Sequence, residues 1–154
     1  DNDGDQDVFH ELGGWFAGDA YGDAVFENPG FDNHWITVKL VGTESNTSAI
    51  GARIRVDIND PTPRSIYRWV NSGGSFGGNP LRQHIGVGKA TQVSRLEVFW
   101  PTTGQTQVFT DLPVNQFIEI PEGGSEIRTL PWKTAKFTDA KPSHDHHDHG
   151  AHPH

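Results

Sequence analysis

The chain has 154 residues with 12 Lys and Arg against 20 Asp and Glu, a formal net charge of −8, 33% apolar residues and mean hydropathy of −0.60. That length predicts one domain, and the acidic balance excludes a nucleic-acid binder, which needs a basic stripe to displace counterions. Cysteine is absent, which removes disulfides, zinc–thiolate sites and cysteine nucleophiles, and no apolar run is long enough for membrane insertion by a helix.

Composition divides the chain into four zones: residues 1–32, 33–120, 121–142 and 143–154. The first opens Asp1-Asn2-Asp3-Gly4-Asp5-Gln6-Asp7 and runs into the strand-like Val8-Phe9-His10-Glu11-Leu12. Alternate Asp residues around a glycine put several carboxylates on one side of a tight loop, the oxygen-rich setting a hard cation such as Ca²⁺ requires. Asp1, Asp3, Asp5 and Asp7 are therefore the expected calcium ligands. An EF-hand is excluded, since no Glu closes the loop at its twelfth position and no helices flank it. Asp19 and Asp23, in the Gly-rich stretch that follows, read as additions to cation binding or solubility rather than as a glycosidase pair.

The second zone alternates with period two, as strands with one buried face do. Ile36, Val38 and Leu40 point one way and Thr37 and Lys39 the other. Ile54, Val56 and Ile58 alternate with Arg53, Arg55 and Asp57; Leu96, Val98 and Trp100 alternate with Arg95, Glu97 and Phe99. Shorter runs at Ser65–Val70, Gln83–Val87, Gln105–Phe109 and Gln116–Ile120 are separated by Gly, Pro and Asn. No stretch sustains a helical stripe. The expected fold is all-β, an antiparallel β-sandwich or partly open barrel with extended N- and C-terminal segments.

Two local patterns mimic catalytic motifs. Gly73-Gly74-Ser75-Phe76-Gly77 matches the G-x-S-x-G elbow of esterases, but Gly78-Asn79-Pro80 follows where that motif needs a helix. Gly86-Val87-Gly88-Lys89-Ala90-Thr91 looks like the end of a P-loop, yet Gln83 stands at its first glycine and Ala90 at its magnesium-binding hydroxyl. No enzyme is expected. His34 and His84 read as core or turn histidines. Asn46-Thr47-Ser48 is a glycosylation sequon, making Asn46 a candidate glycan site on a turn.

In the third zone, Ser125–Leu130 and Lys133–Thr138 could form strands, and the intervening Pro131 confines them to an edge or an arm. The last zone holds six of the nine histidines. His144, His146, His147 and His149 offer either weak transition-metal binding or a flexible solubilising tail.

Several motifs in order carry a resemblance. The Asp1–Asp7 run resembles the calcium loop of FG-GAP/VCBS-type propeller repeats. In one register Asp1 and Asp3 match the second and third carboxylates, Asp5 the backbone-carbonyl position and Asp7 the closing carboxylate. In the other, Asp1, Asp3 and Asp5 are ligands and Asp7 is accessory. Asn33-His34-Trp35-Ile36, Leu40-Val41-Gly42-Thr43, Ser45-Asn46 and Ile50-Gly51-Ala52-Arg53 resemble the ASPIC/UnbV domain. The likeness continues through Gly73–Phe76, His84–Gly88 and Leu96–Pro101 with Gly104, over roughly residues 33–120. Together they are similar to the cartilage acidic protein-like family, which implies a secreted or cell-surface location and no known catalytic activity.

The resemblance also bears on assembly. A propeller blade has four strands, and residues 1–32 hold at most two, so a partner is expected to complete them. Residues 121–142 carry Ile127, Leu130, Trp132 and Phe137 with no evident home in the central domain. β-Strand exchange of that arm between copies, giving a homo-oligomer or open filament, is the expected arrangement. Glycans are the alternative partner, stacking on Trp15, Tyr21, Trp69 or Trp132. The chain opens on Asp1 without an apolar leader, which reads as a processed product or a piece of a longer propeller adhesion protein.

Overall fold

A computed structural model describes residues 1–14, 18, 21–74 and 77–136. Trp15, Asp19, Ser75, Phe76 and Phe137, and the expected tail ligands His144, His146, His147 and His149, lie outside the described residues. Ten strands run in chain order: β1 (Val8–His10), β2 (Ala24–Phe26), β3 (His34–Val41), β4 (Arg53–Ile58), β5 (Arg64–Trp69), β6 (Gln83–Gly88), β7 (Gln92–Trp100), β8 (Gln105–Pro113), β9 (Gln116–Pro121) and β10 (Arg128–Leu130). There is no helix among the described residues.

Two four-stranded sheets form the body, in orders β10-β9-β3-β6 and β5-β4-β7-β8. The chain changes sheet after β3, β5, β6 and β8. Each sheet contributes one apolar face to a shared interior: Ile36, Val38, Leu40, Ile85, Val87, Ile118 and Ile120 from the first, Ile54, Val56, Ile58, Val93, Leu96, Val98 and Trp100 from the second. The open β-sandwich is therefore the observed alternative. One pairing departs from the antiparallel expectation: β3 and β9 run parallel, with Val38 opposite Ile118.

The Trp100 indole is fully buried, and its N–H donates to Gln107 Oε1. Gln107 Nε2 in turn donates to the Pro121 and Gly124 carbonyls, tying the β7–β8 hairpin to the end of β9. A buried indole N–H left without an acceptor would be costly, so Gln107 makes Trp100 tolerable in the core.

β1 and β2 form a separate antiparallel ribbon with Phe9 opposite Val25. Val8, Phe9, Val25 and Phe26 are all exposed, Phe9 by 66%. Two short strands cannot bury both faces, as their sequence implies.

The C-terminal arm, expected to have no home in the central domain, makes contacts with it. β10 adds antiparallel to β9 of its own chain, and Ile127 packs against the shared core. Trp132 stacks on Trp35 (ring centroids 4.9 Å apart) and meets Phe117 edge-on at 5.8 Å. Residues 131–136 are not a strand, since Pro131 ends the ladder. The arm thus has a home within its own chain, and Trp132 is not a free platform for sugars.

Candidate metal centre

The Asp1–Asp7 loop lies on the outer face of the first sheet. Its shape follows from short-range hydrogen bonds: Asp3 N–H donates to Asp1 Oδ1 (3.0 Å) and Asp5 N–H to Asp3 Oδ1 (3.1 Å). Such side-chain-to-backbone bonds two residues apart are what Asp offers a turn. Gly4 is buried at φ +111°, and a Cβ there would stand 1.8 Å from Trp35 Nε1. Only glycine permits that close approach.

Three hydrogen bonds to residues 132–135 hold the loop down. Trp132 Nε1 donates to the Asn2 carbonyl (2.8 Å), Asn2 Nδ2 to the Lys133 carbonyl, and Ala135 N–H to the Asp1 carbonyl (2.6 Å). Beneath it, His84 stacks on Trp35 at 5.3 Å, bonds Thr37 Oγ1 at 2.8 Å and engages the Gly4 backbone. Burial, with Arg82 and Arg68 nearby, lowers the His84 pKa and keeps the ring neutral. Thr37 points away from the core, as its place in β3 predicts, yet is fully buried under this cover.

The four Asp residues are not equivalent. Asp7 Oδ2 accepts from the Asp1 ammonium (2.5 Å) and Oδ1 from Asn28 N–H (2.9 Å), which hold its pKa below the ordinary value. Asp5 is the opposite case. Neither of its carboxylate oxygens has a hydrogen-bond partner among the described residues, although both are shut off from solvent. Burial first, then the charges of Asp3 and Asp7, raise its pKa.

A cavity of about 220 Å³ opens between Asp3, Asp5, Asp32 and Asn33. A Cβ on Gly30 would stand 3.2 Å from Asp5 Oδ2, which fixes the carboxylate against the Asn28–Asn33 loop. Lys89, the lysine of the false P-loop, holds that loop by donating to the carbonyls of Phe31 (2.6 Å) and Asp32 (2.9 Å). Among the described residues no three His, Asp or Glu side chains converge as a ready metal cage. The structure brings Asp3 and Asp5 together, adds Asp32, and turns Asp1 and Asp7 toward each other. An orphaned carboxylate beside a second one, at the mouth of an oxygen-lined cavity, is the donor chemistry a hard cation fits.

Glu122, which sequence reasoning passed over, is the most fully hydrogen-bonded carboxylate among the described residues. Only 5% exposed, it accepts from the N–H groups of Thr43, Glu44 and Ser45 and the hydroxyls of Ser45 and Thr103. Burial alone would raise its pKa, but the Ser45 N–H and hydroxyl, Thr43 N–H and Thr103 hydroxyl lower it to about 2. All its ligands are protein donors, so it pins the 42–47 loop rather than offering a site.

Asn46 is exposed on that loop, and its amide bonds both ways to the Ile50 backbone at 2.9 Å. His34 lies at the start of β3, its Nδ1 2.9 Å from Asn115 Nδ2. Around the esterase-like pattern, Gly74 N–H donates to the Gly77 carbonyl at 3.1 Å, and Ser75 itself lies outside the described residues.

Two packed sheets with an acidic loop and an arm over one outer face define an all-β sandwich module. A profile of the ASPIC and UnbV family matches residues 42–127, more than half of the chain, and the chain belongs to that family. No curated protein matches the chain. The matched span starts after β3, whereas the folded sandwich includes β3 as a central strand between β9 and β6.

Proposed function

We propose that the chain is an extracellular, calcium-binding structural module without catalytic activity, which self-associates through its β1–β2 ribbon. The orphaned Asp5 carboxylate carries this reading. A divalent cation held by Asp5 and Asp3, with Asp32 and loop carbonyls available beside them, would relieve both the desolvation and the repulsion at that site. The resemblance of Asp1–Asp7 to an FG-GAP-type loop supports the same ion and an extracellular setting. Calcium would bind the Asp1–Asp7 and Asn28–Asn33 loops together, and so fix the ribbon that runs between them.

The ribbon supports association because its strands expose Phe9 and Phe26 and leave backbone groups unpaired at both edges. A contact between ribbon edges asks nothing of the arm, which pairs with β9 of its own chain. If head-to-tail, it extends into a fibre.

Isothermal titration of the calcium-stripped chain with CaCl₂ tests the ion. One site per chain, lost in Asp5→Asn, is expected; no heat, or heat unchanged in that variant, contradicts the reading. Sedimentation velocity in calcium tests the association: larger species are expected to revert to monomer in Phe9→Asp/Phe26→Asp. Monomers in the unsubstituted chain would remove self-association while leaving the ion to its own test.

A further inference from the structure

The outer face of the second sheet is built differently from the acidic, covered face of the first. The register of β5, β4 and β7 sets side chains there in rows. Trp69, Arg53 and Phe99 are opposite one another in the first; Tyr67, Arg55 and Glu97 in the second; Ser65, Asp57 and Arg95 in the third. In a chain of net charge −8, three guanidinium groups and three aromatic rings share this face with only two carboxylates. Tyr67 is 52% exposed and Trp69 53%. They border an open depression of about 450 Å³ that Arg53, Arg68 and Phe99 also line.

The polar groups divide into used and unused. Arg55 Nε donates to Asp57 Oδ1 (2.8 Å), which also accepts from Ser65 Oγ (2.6 Å), and Arg95 is paired with Glu97. Arg53 has no hydrogen-bond or ion-pair partner among the described residues. Its guanidinium lies over the Phe99 ring, 4.4 Å from the centroid. Stacking fixes the position of that planar group while leaving its donors free, a preorganised fork for a carboxylate. Trp69 and Phe99 flank it from strands two apart, about 9.5 Å at ordinary strand spacing.

We propose that this face binds an acidic oligosaccharide of the polyuronate kind, with Trp69 and Tyr67 stacking on sugar rings and Arg53 taking a uronate carboxylate. A sugar chain needs apolar platforms for its ring faces, acceptors for its hydroxyls and a cation for each acid group in reach. Here the aromatics, the Asp57 and Glu97 carboxylates, and Arg53 supply them.

The test titrates the full chain with a galacturonic acid hexamer, following tryptophan fluorescence and heat. EGTA is present, so that calcium cannot bridge the uronate to the Asp1–Asp7 loop. Binding is expected to weaken by roughly tenfold or more in Arg53→Gln and in Trp69→Ala. It should stay unchanged in Arg128→Gln, on the other sheet, and neutral cellohexaose should bind much more weakly. Both substituted side chains are exposed, and Tyr67→Ala provides a third, independent loss. No binding of the hexamer overturns the proposal. So does equal binding of cellohexaose that ignores Arg53→Gln. Equal or tighter binding of a poly-aspartate peptide or a single-stranded DNA 12-mer at the same residues would make the face a general anion surface and overturn it as well. None of these outcomes depends on calcium binding at Asp5.

Discussion

Asp5 and Glu122 are both carboxylates removed from water, and the protein treats them in opposite ways. Glu122 is surrounded by five donors and its pKa falls to about 2. Because that folded value lies below the ordinary one of 4.5, its stabilisation is fully present above about pH 4.5 and is lost as pH falls toward 2. Glu122→Gln is expected to cost about 1.5–3 kcal/mol at neutral pH and to flatten that acid limb, as read by urea unfolding across pH. Asp5 has a raised folded pKa, so in the calcium-free chain its sign is reversed: stability present in acid is lost as pH rises through the carboxylate range. Asp5→Asn in EGTA should therefore be at least as stable to urea as the unsubstituted chain at neutral pH. Gly4→Ala is expected to cost about 1–3 kcal/mol, since the new Cβ meets Trp35, and to alter tryptophan emission as the loop lifts. Asp5 was legible in the sequence because alternating Asp around Gly is a local pattern. Glu122 was not. Its donors come from residues 43–45 and Thr103, distant in sequence, and a Glu beside Pro121 and Gly123 reads as an ordinary turn.

At the scale of elements, the alternating stretches were read correctly because each has one face against the interior, as β4 and β7 show. β3 shows what alternation leaves out. Thr37 is on the expected side and still buried, because the Asp loop and residues 131–136 cover it, and a strand's own pattern says nothing about what lies on top. The arm was misread for a similar reason. Its apolar residues were correctly picked out as needing partners, but Trp35, Phe117 and the Asn2 carbonyl are supplied by three separate regions of the same chain. A chain ending at Leu130 is therefore expected to stay folded and lose about 2 kcal/mol as Trp35 and Phe117 become exposed. Urea denaturation measures this. Unchanged stability would show that the arm contributes no packing, and complete unfolding would show that it is part of the core.

Across the whole molecule, charge is segregated by face. Residues 1–32 contain no Lys or Arg, while the outer β5-β4-β7 face gathers Arg53, Arg55 and Arg95. Composition revealed only the net acidity; the segregation required the sheet register, which pairs Arg53 with Trp69 and Phe99. The sandwich stands on its own apolar interior, and the acidic loop is an addition to one face whose Asp3 and Asp5 carboxylates have no ion-pair partner among the described residues. A cation that binds the folded loop adds stability by mass action, about 2.7 kcal/mol at a hundred times its dissociation constant.

The most direct measurement is thermal unfolding of the full chain in CaCl₂ and in EGTA at matched ionic strength, with Asp5→Asn beside it. A rise in Tm of about 5–10 °C at a calcium concentration about a hundred times the dissociation constant, absent with magnesium and absent in Asp5→Asn, is the predicted result. Superimposable transitions in calcium and EGTA, or a rise that Asp5→Asn retains, would contradict the account.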